Sequence, residues 1–233
     1  MINRNVISDL RDWSKRKNRK PLVLRGARQV GKTTLVDEFG REFEVYLSIN
    51  LEESEHLQLF DYYTNMDNLL TGIYLINGKM KKDIPTLLFI DEIQYSPRAV
   101  SLLRYFYEKT PWLYVIAAGS FLESLMDKQI SFPVGRVEYL AMHPCSFNEF
   151  LGATGNIELQ KAQQAGEIPE SIHQLTVNLF NQYTLVGGMP EIVADYAENK
   201  DIHALGRIYN TLLTGYQDDI EKYASTGNMR HIL

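Results

Sequence analysis

The chain has 233 residues, 45% of them hydrophobic and 23% charged, with a single cysteine and a formal net charge of −5. This is the composition of an ordinary globular protein, long enough for one large domain or two small ones. It excludes an internal disulfide framework and a cysteine-based zinc site, and no apolar run reaches the roughly 18 residues that a transmembrane helix needs.

In chain order, Ile2, Val6, Leu10 and Trp13 share one helical face. Met1 to Lys20 lacks the apolar stretch of a secretory signal, so the cytoplasm is the expected compartment and no membrane contact is expected. Up to Lys32 there are ten Lys and Arg against two Asp, whereas the remainder carries 14 basic against 27 acidic residues. The run Lys15-Arg16-Lys17-Asn18-Arg19-Lys20 reads either as a solvated connection or as a nucleic-acid contact. The acidic balance of the whole argues against a dedicated DNA-binding protein.

Pro21 to Arg25 is a short apolar strand, followed by Gly26-Ala27-Arg28-Gln29-Val30-Gly31-Lys32-Thr33. This octet fits G-x-x-x-x-G-K-[ST], the phosphate-binding loop of nucleoside-triphosphate-binding proteins. Its glycines let backbone N–H groups turn in around the β-phosphate. Lys32 reaches the β and γ oxygens, and the Thr33 hydroxyl ligates Mg²⁺. Thr34 to Phe39 continues as a helix whose N-terminus faces the phosphates, with Gly40 expected just past its end. Arg28 is expected to point away from the nucleotide.

Val45 to Ile49 reads as a second strand, Met66 to Tyr74 as a helix, and Thr86 to Ile90 as a continuously apolar central strand. A helix over Ala99 to Lys109, a strand over Leu113 to Ala118 and a fifth strand within Pro133 to Met142 complete the expected parallel sheet. Cys145 reads as a small buried hydrophobe. Past Leu151 the strand pattern fades. Residues from Ile202 to Tyr223 keep helical spacing, then Ser225 to Asn228 reads as a turn, and Met229 to Leu233 as the start of a further element. The chain therefore reads as cut inside a structural unit.

Three further places carry chemistry. Asp91 and Glu92 end the apolar strand beside the loop. There Asp91 would hold Mg²⁺ through water and Glu92 would orient and deprotonate the attacking water, although such a pair also caps helices. Ser120, after the fourth strand, either positions water at the γ-phosphate or caps a helix over Phe121 to Met126. Arg136 follows Gly135 and serves either as a charge-stabilising guanidinium, in its own subunit or a neighbour's, or as a surface ion pair. Asn-Lys-x-Asp, which specifies guanine, is absent, and this favours ATP.

Across nearly its whole length the chain resembles AAA-type ATPases of a bacterial and archaeal group whose ATPase domain precedes a domain of unknown function. The matching residues run from Arg19 to Thr33, through Ile49 to Glu52, Leu88 to Gln94, Ala118 to Ser120, Gly135 to Val137 and His143 to Leu151, to Gly187 to Glu191. Asp218 to Tyr223 resembles the start of the family's C-terminal domain. The resemblance implies an α/β phosphate-loop NTPase fold: a five-stranded parallel sheet of order 5-1-4-3-2, flanked by helices and followed by a helical lid. It implies that Pro190 lies over the adenine, where Gly187 to Pro190 reads otherwise as a turn before a helix. No arginine stands where a second sensor would be expected. The expected organisation is an ATPase core over residues 1–152, then a lid and the truncated start of a C-terminal domain over 153–233. ATP and Mg²⁺ are the expected cofactors and hydrolysis coupled to a core–lid change the expected activity, with a homo-oligomer and an unknown protein partner both possible. A nucleotide-controlled switch with negligible turnover, and a DNA-associated ATPase, are the alternatives.

Overall fold

The computed structural model describes residues 2–82, 84–119 and 132–224, with side chains up to residue 218. Contacts divide the chain into two units, Arg4–His143 and a second made of Met1–Asn3 with Pro144–Leu233.

The first unit is built on five strands: β1 (Leu22–Arg25), β2 (Val45–Asn50), β3 (Thr86–Asp91), β4 (Leu113–Gly119) and β5 (Glu138–Ala141). All pair in parallel in the order β2-β3-β4-β1-β5, the order that the family resemblance implied. Among the described residues, α1 (Ile7–Lys15) precedes β1, and α2 (Lys32–Gly40), α3 (Ser54–Tyr62), α4 (Met66–Ile76) and α5 (Pro97–Lys109) lie between strands. One set of alternate strand residues, Val23, Leu47, Leu88, Ile90 and Val115, packs on Phe60, Leu70, Ile73, Val100 and Phe106 of α3, α4 and α5. The opposite set, including Leu24, Leu87, Phe89 and Ile116, is equally buried, with α2 lying on β3 and β4 and α1 against α2. Covering on both faces is why β3 is apolar throughout, while the edge strand β2 alternates buried and half-buried residues.

Two local readings differ from the sequence expectation. Gly40 is the last helical residue of α2 and not the residue beyond it. Its role is clearance, because a Cβ there would stand 2.7 Å from the Tyr46 ring. Helix α3 buries only Phe60, so no apolar stripe announced it.

The second unit is helical: α6 (Phe147–Ala153), α7 (Ile157–Ala165), α8 (His173–Val186), α9 (Pro190–Asn199) and α10 (Gly206–Ala224). The start of α6 is a capping box. Ser146 Oγ accepts from the Glu149 N–H, and the Glu149 carboxylate accepts from the Ser146 N–H at 2.8 Å. Cys145, Phe150, Val186, Ile192, Val193 and Leu205 form its core, so Cys145 packs as the hydrophobe expected. The long helix expected from Ile202 begins as a 3-10 turn at His203–Leu205 and becomes regular only at Gly206. The turn and element expected over Ser225 to Leu233, and the helix expected over Phe121 to Met126, lie outside the described residues.

Candidate nucleotide-binding site

The loop between β1 and α2 has the backbone that phosphate recognition requires. Gln29 (φ 63°) and Gly31 (φ 89°) are left-handed, so the intervening N–H groups turn toward one side and form an anion-binding concavity. Holding Gln29 there costs on the order of 1–2 kcal/mol. Gly26 is demanded by a close backbone approach. Met142 N donates to Arg25 O at 2.7 Å, and a Cβ on Gly26 would lie 2.3 Å from Met142 O. Lys32, only 6% exposed, donates from Nζ to Gly26 O and Ala27 O, both at 2.9 Å. Burial pushes this ammonium below the usual lysine range, against the opposing pull of Glu92 and Asp91.

The strand order brings the second half of the site to the same edge, where β3 ends two strands from β1. Thr33 Oγ1 donates to Asp91 Oδ2 at 2.6 Å, and Asp91 Oδ1 accepts from the Glu92 N–H at 2.9 Å. Asp91 is 8% exposed. Glu92 adopts a left-handed backbone (φ 51°) that opens a 3-10 turn over Ile93–Tyr95. Burial lifts its carboxyl above the ordinary carboxylate range, while a hydrogen bond donated by Gln94 pulls it back.

The fold therefore brings Gly26, Ala27, Arg28, Gln29, Val30, Gly31, Lys32, Thr33 and Thr34 together with Asp91 and Glu92. Arg28 acts electrostatically on both Lys32 and Glu92, lowering the pKa of each. Gly119 pairs with Arg25 at this edge, but Ser120 itself lies outside the described residues. Arg136 is elsewhere. It precedes β5, whose Glu138 pairs with Leu22 at the start of β1, so it stands at the opposite edge of the sheet from the loop of its own chain. Its Nε is 3.2 Å from Glu108 at the end of α5. Pro190 is in the helical unit, at the first turn of α9, where Gly188 O accepts from the Cys145 N–H at 2.6 Å. Much of the basic run is engaged within the first unit: Arg16 pairs with Glu138, Lys15 with Asp12, and Arg19 lies 3.4 Å over the Tyr114 ring.

Two residues of the site were given no role by the sequence, although Gln94 closes the matching stretch from Leu88. Arg4, 8% exposed, donates to Val30 O at 2.7 Å and to His143 O at 2.6 Å, tying the loop to the chain beyond β5. Gln94, 7% exposed, donates through Nε2 to Glu92 Oε2.

The donor set suits a hard cation bound together with phosphates. A hydroxyl and a carboxylate stand in contact at the loop's edge, as Mg²⁺ sites that rely on few protein oxygens require. Among the described residues no cluster of three or more His, Cys, Asp or Glu could hold a metal by itself. No described helix is long and apolar enough to cross a membrane.

Residues 18–151 match the AAA domain family, and residues 177–233 match a domain of unknown function (DUF8612). The first match takes in more than half of the chain, which therefore belongs to the AAA domain family. No curated protein matches it. Among solved structures it is similar to C. elegans PCH-2, at 12% identity and a TM-score of 0.48, over 86% of this chain and 65% of that one. It is also similar to a chain of Drosophila ORC bound to DNA, at 16% identity and a TM-score of 0.47, over 97% of this chain and 63% of that one. It thus spans less than two thirds of either chain.

Proposed function

We propose that this member of the AAA domain family binds ATP with Mg²⁺ and hydrolyses it, and that turnover drives a conformational change between the sheet unit and the helical unit. The observation that carries this reading is the convergence of four groups at one sheet edge: the Lys32 ammonium, the Thr33 hydroxyl in contact with Asp91, and the Glu92 carboxyl.

In this reading the loop amides and Lys32 bind the β- and γ-phosphates, with Lys32 exchanging its two loop carbonyls for phosphate oxygens. Thr33 and Asp91 hold the metal, which supplies charge neutralisation on the phosphate oxygens. Glu92 orients a water and takes its proton as the oxygen attacks the γ-phosphorus and ADP leaves. A carboxylate made more basic by burial suits that task. Ser120 senses the γ-phosphate. Arg136, remote from its own loop, serves the site of a neighbouring subunit and stabilises the charge that develops there.

Steady-state ATPase assays with Mg²⁺, paired with nucleotide-binding measurements, test the reading. Lys32→Ala should abolish binding. Glu92→Gln should retain binding and lose about 10²- to 10⁴-fold in turnover. A Glu92→Gln protein that hydrolyses ATP at the wild-type rate would overturn the assignment.

A further inference from the structure

The Glu92 carboxyl is not left to find its own orientation. The residue opens a 3-10 turn fixed by two backbone hydrogen bonds, from Tyr95 N to Glu92 O and from Ser96 N to Ile93 O, both at 3.1 Å. Ile93 is fully buried, and the turn packs against β4 and α5. Ser96, next in line, is 1% exposed and caps α5 by accepting from the Ala99 N–H at 3.1 Å. Gln94 is thus carried on a platform clamped on both sides. Its amide leaves this platform in one direction, donating from Nε2 to Glu92 Oε2.

Stability alone does not account for this amide. Gln94 Oε1 is buried and accepts no hydrogen bond among the described residues. A buried polar atom left unsatisfied is unfavourable, whereas an apolar side chain of the same length would fill the space without that penalty. The amide is retained at a cost, and among the described residues the side chain that it contacts by hydrogen bond is the one assigned to activate water.

We infer that Gln94 is a positioning residue for ATP hydrolysis, holding Glu92 in the orientation from which it activates the attacking water. This rests on the hydrolytic reading above. Removing the donor frees Glu92 about its side-chain torsions while leaving Lys32, Thr33 and the loop untouched. The consequence falls on kcat and not on nucleotide affinity. A misplacement of about 1 Å at a reacting group costs up to ~10²-fold in rate.

The test uses Gln94→Met, which keeps length and removes the donor, and Gln94→Glu, which keeps shape and sets a second carboxylate beside Glu92. Both should lower kcat about 10- to 100-fold and hold the ATP dissociation constant within about twofold. Gln94→Met should also melt at or above the wild-type temperature. In a Glu92→Gln background, Gln94→Met should add nothing to the loss already present, since no base remains to be held. An unchanged kcat in both variants overturns the inference. So does a loss of kcat that tracks loss of affinity and melting temperature, or one that recurs in full on the Glu92→Gln background. A wild-type protein without Glu92-dependent turnover overturns the hydrolytic reading and this inference with it.

Discussion

Glu92 shows what the site costs at the scale of one residue. Its backbone is left-handed and its carboxyl is held partly out of water, both unfavourable in isolation. The folded protein raises its pKa above the ordinary value of 4.5, so the charged form is penalised at neutral pH and the penalty disappears once the group is protonated in both states. Glu92→Gln should therefore raise the melting temperature at pH 8, measured by calorimetry with EDTA and without nucleotide. That gain should shrink as pH falls through the raised pKa and vanish below about 4. A gain that is constant with pH would show that charge is not its cause. Lys32, Thr33, Asp91 and Glu92 could be picked out in the sequence because each stands at the end of a recognisable strand or the start of a helix, and a parallel sheet brings the ends of its strands to one edge. Arg4 and Gln94 could not. Arg4 reaches Val30 and His143 only once β1 and β5 are paired, and a glutamine two residues past a carboxylate has no local pattern that reveals its direction.

The same division holds for elements. β3 and β4 were legible as unbroken apolar runs, and the sheet order matched the family expectation. β5 could only be bracketed, because its burial alternates between half-buried and exposed residues. α3, with one buried residue, was missed. The start of α6 depends on a reciprocal pair, Ser146 with Glu149, a residue only 5% exposed. Ser146→Ala should cost about 1 kcal/mol, a fall of roughly 2–4 °C in melting temperature. Glu149→Ala should cost more, because it removes the acceptor of the Ser146 N–H and also leaves a gap where a buried side chain stood. Equal losses from both would argue that the carboxylate contributes nothing beyond the cap.

At the scale of the whole molecule, the position of Arg136 gives the proposed function its most direct test. A guanidinium at the far edge of the sheet cannot reach the loop of its own chain across a strand that spans on the order of 10 Å. Lys32→Ala and Arg136→Ala proteins, each inactive alone, should therefore recover turnover when mixed, because the Arg136 of a Lys32→Ala subunit serves the intact loop of an Arg136→Ala neighbour. Mixtures that stay inactive at every concentration would remove Arg136 from the chemistry. The strand order has another consequence, for the time during which the protein is made. β1 carries the phosphate loop, yet its two partners are β4 and β5, so Leu22 meets nothing of the sheet until Ile116 and then Glu138 have been synthesised. A chain emerging from the ribosome must hold the loop sequence, already complete at Thr33, without the walls that shape it. The strand first written in the sequence is thus among the last to find its partners, and the loop that it carries gains its walls only after β4 and β5 are made.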